Sequence, residues 1–115
     1  VETGLGIDAV TYSRALESRV QFIADAERLS KKAQVLLTPS TPTPAPGDLS
    51  VTGSAMFQGP WTSTGLPTVT VPSGLSQFDL PLGIQLIAAR LEEPRLLSAA
   101  RWCEQVLGKM PAPPL

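Results

Sequence analysis

The sequence predicts a small α/β fold, in which a mixed sheet of about three strands is flanked by two helices. Two long stretches, about 8–33 and 93–107, repeat their apolar residues every three or four positions, which is the spacing of one helical face. Three short stretches, 34–38, 68–71 and 82–87, are apolar or β-branched runs bounded by turn residues, as strands are. With 115 residues, the chain can form one domain at most.

The first helix is predicted from about Asp8 to Ala33. Its apolar residues recur four or three positions apart, and we expect the face that they line to pack into the core. These residues are Tyr12, Leu16, Val20, Ile23 and Ala26. Asp8 or Thr11 suits the N-terminal cap, because a short polar side chain accepts hydrogen bonds from free backbone N–H groups there. Lys31 and Lys32 fall in the last turn, where the helix dipole attracts positive charge.

A buried strand is predicted over 34–38, since this apolar run stops at Pro39, which has no N–H to donate. Further prolines impose an extended, irregular path as far as Gly47. The stretch 38–47 is therefore either a proline-rich linker or an ordered loop on a larger body. The segment Met56–Thr64, called the 56–64 segment, is open between a short helix and a loop, because it holds a glycine and a proline.

A β-hairpin is predicted next along the chain. The β-branched run 68–71 forms its first strand, which ends at Pro72, and 82–87 forms its second strand. The polar residues between the two strands supply the connection, in which Gly74 and Asp79 favour a turn.

The last helix is predicted over 93–107. Pro94 lies in its first turn, where a proline is tolerated, and Gly108 is placed to end it. Its apolar stripe consists of Leu96, Ala100, Cys103 and Leu107. Residues 109–115 include three prolines and are expected to be a loose tail.

Two helices on a three-stranded sheet would leave part of that sheet uncovered. They can bury one face, but the other face and at least one edge would meet water. The chain is therefore expected to be a fragment of a larger sheet. We also expect it to form a homo-oligomer, because a free sheet edge invites pairing with a second copy.

Composition argues against several classes of function. Nine basic and ten acidic residues are nearly balanced and no Lys/Arg-rich run occurs, so neither nucleic acid nor an anionic membrane is expected as a partner. A single cysteine, Cys103, and the absence of histidine argue against an internal disulfide and a zinc site, and no cofactor is expected. Without a long apolar run or a signal-peptide pattern, a cytoplasmic location is expected.

Three motif segments follow one another along the chain. Val35–Pro42 reads V-L-L-T-P-S-T-P, Phe57–Gly74 reads F-Q-G-P-W-T-S-T-G-L-P-T-V-T-V-P-S-G, and Leu80–Ile87 reads L-P-L-G-I-Q-L-I. In order and spacing they resemble D-x-L-L-T-P-x-x-P, F-x-x-P-x-N-x-T-G-x-P-x-x-S-V-P-x-G and L-P-V-G-V-Q-L-I-G of the amidase-signature family. The best match covers 34–108, so 1–115 is expected to be a C-terminal segment of such a domain.

This resemblance implies a partial amidase-signature fold and an amide hydrolase. Family members use a serine nucleophile, a bridging serine in a cis peptide and a lysine base, all N-terminal of the region matched here. The chain would supply strands, a helix and part of the acyl-side wall for a small amide substrate. Neither Gly53-Ser54 nor Gly74-Leu75-Ser76 has the second glycine of a nucleophile elbow, so no catalytic residue is expected within it and the fragment alone should be inactive.

The 56–64 segment is expected to touch the substrate through Phe57, Trp61 and Thr62. Aromatic rings stand beside hydroxyl groups there, which is the mixture of apolar wall and few polar groups found in clefts. The resemblance also implies that this loop lies near the substrate channel. The alternative is that Trp61 packs as part of the core.

Two departures from the family pattern bear on the type of enzyme. In the tRNA-dependent amidotransferase that supplies glutamine amide to mischarged tRNA, an acidic residue precedes this loop and holds the substrate's amino group, whereas Ala55 stands near that place here. Thr62 stands near the usual asparagine of the loop. Both departures favour a general amide hydrolase over a component of a tRNA amidotransferase. The third alternative is a non-enzymatic binding or structural module left by a truncated amidase.

Overall fold

The computed structural model describes residues 2–111. Its elements are α1 (Glu2–Leu5), α2 (Ala9–Ser30), β1 (Leu36–Pro39), α3 (Gly59–Thr64), β2 (Thr68–Leu75), β3 (Pro81–Ile87) and α4 (Glu93–Leu107). The predicted α/β class, the two long helices and the presence of three strands are confirmed. The prediction that the first strand is buried is wrong, because β1 is an edge strand and Leu37 is 59% exposed. Most of the tail predicted over 109–115 lies outside the described residues. Within them, no helix combines the length and the apolar content needed to cross a membrane.

The sheet has the order β1–β3–β2, with β3 in the middle. Leu36 of β1 pairs with Ile87, Val69 of β2 pairs with Leu86, and both pairings are antiparallel. The predicted hairpin is thus confirmed. Within the described residues both strand pairings are antiparallel, so the sheet is not mixed as predicted. β1 and β2 run in the same direction on opposite sides of β3, and each is antiparallel to it.

Pro39 lies within β1 and Pro72 lies within β2, whereas each strand was predicted to end at its proline. Both strands are edges of this sheet, and an edge accepts a proline because one of its sides makes no hydrogen-bond ladder. The register shifts between Pro72 and Gly74, so β2 continues to Leu75 through a bulge. The connection to β3 is therefore shorter than predicted, and it contains Asp79 at a left-handed φ of 57°.

One face of the sheet packs against α4. The buried residues of this first core cluster are Val71, Leu86, Ala88, Leu96, Ala100 and Cys103. Three residues of the predicted α4 stripe are thus buried, while the fourth, Leu107, is 45% exposed because it is the last residue of the helix. Gly108 ends α4 as predicted, with its N–H donating to the carbonyl oxygen of Glu104.

α2 reaches the core only through its C-terminal half. Ala26 is buried with Leu66 and Ile87 in a second core cluster, on the sheet face opposite α4. Tyr12 and Val20, by contrast, are 59% and 70% exposed, so the prediction that the whole apolar stripe packs into the core is wrong within the described residues. A helix of 22 residues is about 33 Å long and extends past the short strands beneath it.

The predicted N-terminal cap of α2 is confirmed. Asp8 Oδ1 accepts a hydrogen bond from the backbone N–H of Thr11 over 2.9 Å, and Oδ2 accepts one from the Thr11 hydroxyl over 2.7 Å. These bonds lower the pKa of the Asp8 carboxyl. The helix ends at Ser30, so Lys31 is its C-terminal cap and Lys32 lies beyond it, not in the last turn as predicted.

We expect this cap to weaken in acid. Since the folded state lowers the pKa of Asp8, its contribution to stability is complete above the unfolded value of 3.8 and is lost as the pH falls through the lower folded value. Circular dichroism during acid titration should show a loss of helix at that step. Asp8→Asn, which caps without titrating, should lack the step. An identical acid transition in both proteins would show that the cap does not contribute.

Candidate functional site

The 56–64 segment folds into α3, Gly59–Thr64. Pro60 lies in the first turn, where its missing N–H costs little because that group has no partner within the helix. Gly65 ends the helix at a φ of 70°, with its N–H donating to the carbonyl oxygen of Trp61 over 2.9 Å. Of the two structures that the sequence left open, the segment therefore adopts the short helix.

Two arginines hold the C-terminal end of α3. Arg19 of α2 donates from Nε to the carbonyl oxygen of Ser63 over 3.0 Å. Arg90, which follows β3, donates from Nη2 to the carbonyl oxygen of Thr64 over 3.0 Å. Its Nε also donates to the Glu27 carboxylate of α2 over 3.1 Å. Because cations favour the negative end of a helix, these contacts fix α3 between α2 and the end of the central strand.

The three residues predicted to touch substrate lie on this segment but do not converge on one pocket. Trp61 is half-buried and packs against the second core cluster, which agrees with the core alternative weighed from the sequence. Phe57 is half-buried. Thr62 is exposed, and its hydroxyl donates to the carbonyl oxygen of Gln58 over 3.2 Å. Contact of any of the three with a substrate stays a prediction.

A cavity of about 360 Å³ opens between the proline-rich loop and the sheet, and Gln58 brings the 56–64 segment to its wall. Most of its polar lining consists of hydroxyl groups. They belong to Ser40, Thr41, Thr43, Thr52, Ser54 and Thr70. Within residues 4–111, no charged side chain lines this cavity, which we call the hydroxyl cavity.

The proline-rich loop forms one wall of the hydroxyl cavity. Thr41 donates its hydroxyl to the carbonyl oxygen of Thr43 over 2.8 Å, while Pro44 and Pro46 line the same wall. Prolines hold the backbone extended without donating hydrogen bonds, so threonine hydroxyls between them can face the cavity. Of the two alternatives for this stretch, the structure has the ordered loop, which lies against the sheet of this chain.

The floor of the hydroxyl cavity requires a glycine at Gly83. A Cβ atom there would lie 2.8 Å from both Ser40 Oγ and Thr70 Cγ2, closer than packed atoms approach. The Ser40 hydroxyl donates to Thr70 Oγ1 over 3.3 Å, and the Ser40 backbone N–H donates to the carbonyl oxygen of Gly83 over 2.9 Å. Each of the three motif segments thus contributes one residue to this floor, which the sequence reasoning did not identify as a site.

Two buried polar atoms on the same sheet face, Thr38 Oγ1 and Gln85 Oε1, have no hydrogen-bond partner within residues 2–111. The strand register places Gln85 between Thr38 and Thr70, and Gly83 shares their face because alternate residues point the same way. Leaving a buried polar atom without a partner costs about 1–3 kcal/mol. A further polar group is therefore expected to meet this row.

Two other cavities have no lining residue from the 56–64 segment. One of about 630 Å³ adjoins the C-terminal end of α4 and is lined in part by Arg101, Glu104 and Lys109. One of about 180 Å³ adjoins Arg90. Across the part of the chain that the structure describes, no group of three or more His, Cys, Asp or Glu side chains is arranged to hold a metal ion.

Comparison with known sequences identifies relatives of most of the chain. Residues 4–97 match the family model described as Amidase. The A subunit of glutamyl-tRNA(Gln) amidotransferase from Synechococcus sp. (strain CC9902) is 36% identical over 114 residues, covering 90% of this chain and 23% of that protein. The protein of the same name from Zymomonas mobilis is 36% identical over 104 residues, covering 84% and 21%. The chain therefore spans less than a quarter of the length of these relatives.

Solved structures share the fold. One described as an amidase superimposes with a TM-score of 0.80 at 24% identity, covering 92% of this chain and 27% of that one. A 6-aminohexanoate cyclic dimer hydrolase, solved with its substrate, gives 0.73 at 22% identity, covering 90% and 26%. The A subunit of glutamyl-tRNA(Gln) amidotransferase from Thermotoga maritima gives 0.70 at 25% identity, covering 84% and 22%.

Proposed function

The chain belongs to the amidase family, and from this premise we propose that it is the C-terminal segment of an enzyme that hydrolyses amides. The observation that carries the proposal is the family match over residues 4–97, in a chain that spans only 23% of a relative's length. Most of the enzyme, with its catalytic groups, would then lie in sequence beyond these residues.

The proposed reaction is acyl transfer to water through a serine ester. A serine outside this chain gives its proton to the lysine through the bridging serine as its oxygen attacks the carbonyl carbon. The C–N bond then breaks, and the nitrogen leaves with that proton. Water then attacks the ester carbon, which releases the carboxylic acid and restores the serine hydroxyl. The resemblance assigns these groups to N-terminal sequence, so residues 1–115 alone should be inactive.

In this proposal the chain forms part of the wall around the acyl group. Phe57, Trp61 and Thr62 are its proposed contacts with a small amide substrate. The arginine contacts at the end of α3 support the proposal, because they hold the segment that carries these three residues in one place. A wall that does not rearrange keeps the substrate oriented for attack.

Uncovered surfaces support a larger enzyme. Tyr12 and Val20 expose apolar surface along α2, and soluble proteins seldom leave a large contiguous apolar patch in water. Thr38 Oγ1 and Gln85 Oε1 are buried yet have no partner within the described residues. We propose that the remaining sequence packs against these surfaces in the cytoplasmic, full-length protein.

The second candidate is the A subunit of a glutamine-dependent amidotransferase. The names of the relatives, at 36% identity, favour it, and a protein of this kind would have protein partners. The absence of an acid at Ala55 and of asparagine at Thr62 favours the general hydrolase. Faster release of ammonia from glutamine than from simple neutral amides would favour the second candidate.

The test begins with the protein as its source makes it. Intact-mass measurement and N-terminal sequencing should give a mass several-fold above 12.2 kDa, with Val1 internal. That protein should release ammonia from simple neutral amides faster than from glutamine. A natural product with the mass of 115 residues would contradict the proposal and favour the non-enzymatic module.

We also propose that residues 1–115, produced alone, form a homo-oligomer through a free sheet edge. β1 and β2 each pair on one side only within the described residues, so each retains backbone groups able to bind another strand. Light scattering at high concentration should give at least a dimer. A monodisperse monomer would refute the homo-oligomer.

A further inference from the structure

We infer that the hydroxyl cavity binds an uncharged, hydrogen-bonding part of its ligand, such as a carboxamide or a hydroxyl group, and discriminates against charged groups. That this ligand is the substrate rests on the proposed function. The preference of the cavity for neutral polar groups follows from its lining and is independent of catalysis.

The dimensions of the hydroxyl cavity suit a small molecule. Its volume of about 360 Å³ lies in the range of about 300–1,000 Å³ that is usual for small-molecule sites. Gln58 and the loop prolines close its sides, while Gly83 forms its floor. A side chain on Gly83 would meet Ser40 and Thr70 at 2.8 Å, so the depth of the floor depends on that glycine.

Several hydroxyl groups in the cavity are free to donate. Thr70 Oγ1 accepts from Ser40, but among the described residues its own proton has no acceptor. The hydroxyls of Thr43 and Thr52 likewise make no hydrogen bond within this part of the chain. These groups, together with the Gln58 amide, can donate to and accept from a carboxamide, which offers both kinds of partner.

The same lining would not compensate a charge. Among the described residues, no Lys, Arg, Asp or Glu side chain lines the cavity, so within this part of the protein a carboxylate or ammonium entering it would lose water without gaining an ion pair. Removing an ion from water in this way is far more unfavourable than removing a neutral polar group that finds hydrogen bonds. The lining that the described residues supply also has no titratable group, so these residues give the affinity for a neutral ligand no dependence on pH.

The experiment compares three probes of equal chain length on the full-length protein: butyramide, butyrate and butylammonium. Ligand-detected NMR titration should give butyramide an affinity at least about tenfold higher than that of either ion, since hydrogen bonds are gained without an unpaired charge. If the protein hydrolyses butyramide, the binding of this probe is followed by KM instead of by titration, and kcat is measured separately.

Matched variants locate the binding. Thr70→Val and Thr43→Val each remove one cavity hydroxyl while keeping the branched shape, and each should weaken butyramide binding about fivefold. Thr68→Val is the control, because Thr68 lies on the same strand and face as Thr70 but does not line the cavity. The affinity of the Thr68→Val protein for butyramide should stay within about twofold of that of the wild type.

The outcomes separate this inference from the proposed function. Selective binding of butyramide without hydrolysis would support the cavity assignment and refute the amidase. Hydrolysis with an unchanged KM in Thr70→Val and Thr43→Val would support the amidase and refute the cavity assignment. Butyrate or butylammonium binding as tightly as butyramide would also overturn the inference. The same holds if Thr70→Val and Thr43→Val lose thermal stability but bind butyramide as tightly as the wild type.

Discussion

Replacing Leu86 with alanine should lower the free energy of unfolding by about 3 kcal/mol, within the usual range for a buried leucine. Leu86 is 1% exposed near the C-terminal end of β3, the central strand of the sheet. Val69 lies opposite it on β2, while Leu96 and Ala100 cover it from α4. Because a strand, a helix and the central ladder all border this side chain, the space left by its removal cannot close without moving several elements.

Chemical denaturation of the full-length protein measures this effect. The control is Leu97→Ala, which deletes the same atoms. Leu97 follows Leu96 on α4 and is 61% exposed. Its cost should stay within about 0.5 kcal/mol, as for other exposed sites. Equal losses in the two variants would mean that the α4 face of the sheet is not the core described above.

Replacing Trp61 with alanine should lower the free energy of unfolding by about 2 kcal/mol, less than the range of about 3–5 for a fully buried aromatic residue because its ring is half-buried. The indole packs against the second core cluster, where Ala26 of α2 and Ile87 of β3 meet. Its loss would loosen the contact that joins α2 and α3 to the sheet.

Two further variants separate the core role of Trp61 from a role in substrate binding. Trp61→Phe keeps an apolar ring and should cost about half as much stability, or about 1 kcal/mol. Phe57→Ala tests the neighbouring aromatic, which belongs to neither core cluster. A higher KM in Phe57→Ala, with an unchanged KM in Trp61→Phe, would assign substrate contact to Phe57 and packing to Trp61. A higher KM in Trp61→Phe at unchanged stability would instead contradict the packing role.

Much of the fold was predictable, because short-range chemistry sets it. Asp8 caps α2 through a residue three positions away, and Gly108 ends α4 in the same local way. The hairpin also forms between neighbouring strands. The burial of α2 was not predictable, since helical spacing shows that Tyr12 and Val20 share a face but not whether another element reaches them.

The candidate site was only partly predictable. The 56–64 segment was identified from its composition and its resemblance to the family, yet Trp61 packs on the core and the cavity beside the segment involves Gln58. The signal for the cavity was present in the three motif segments, each of which supplies one residue of the floor. Motifs alone do not show that these residues meet.

The sequence by itself determined the α/β class, the existence of the two long helices, the cap of α2 at Asp8, the hairpin and membership of the amidase family, because each depends on local patterns or on motifs in series. Only the tertiary structure decided that β1 and β2 are edges able to hold Pro39 and Pro72. It also decided that Ser40 and Thr70, 30 residues apart, share a hydrogen bond above Gly83. The physical reason is that the pairing of distant strands, and the shape it encloses, depends on packing across the whole sheet.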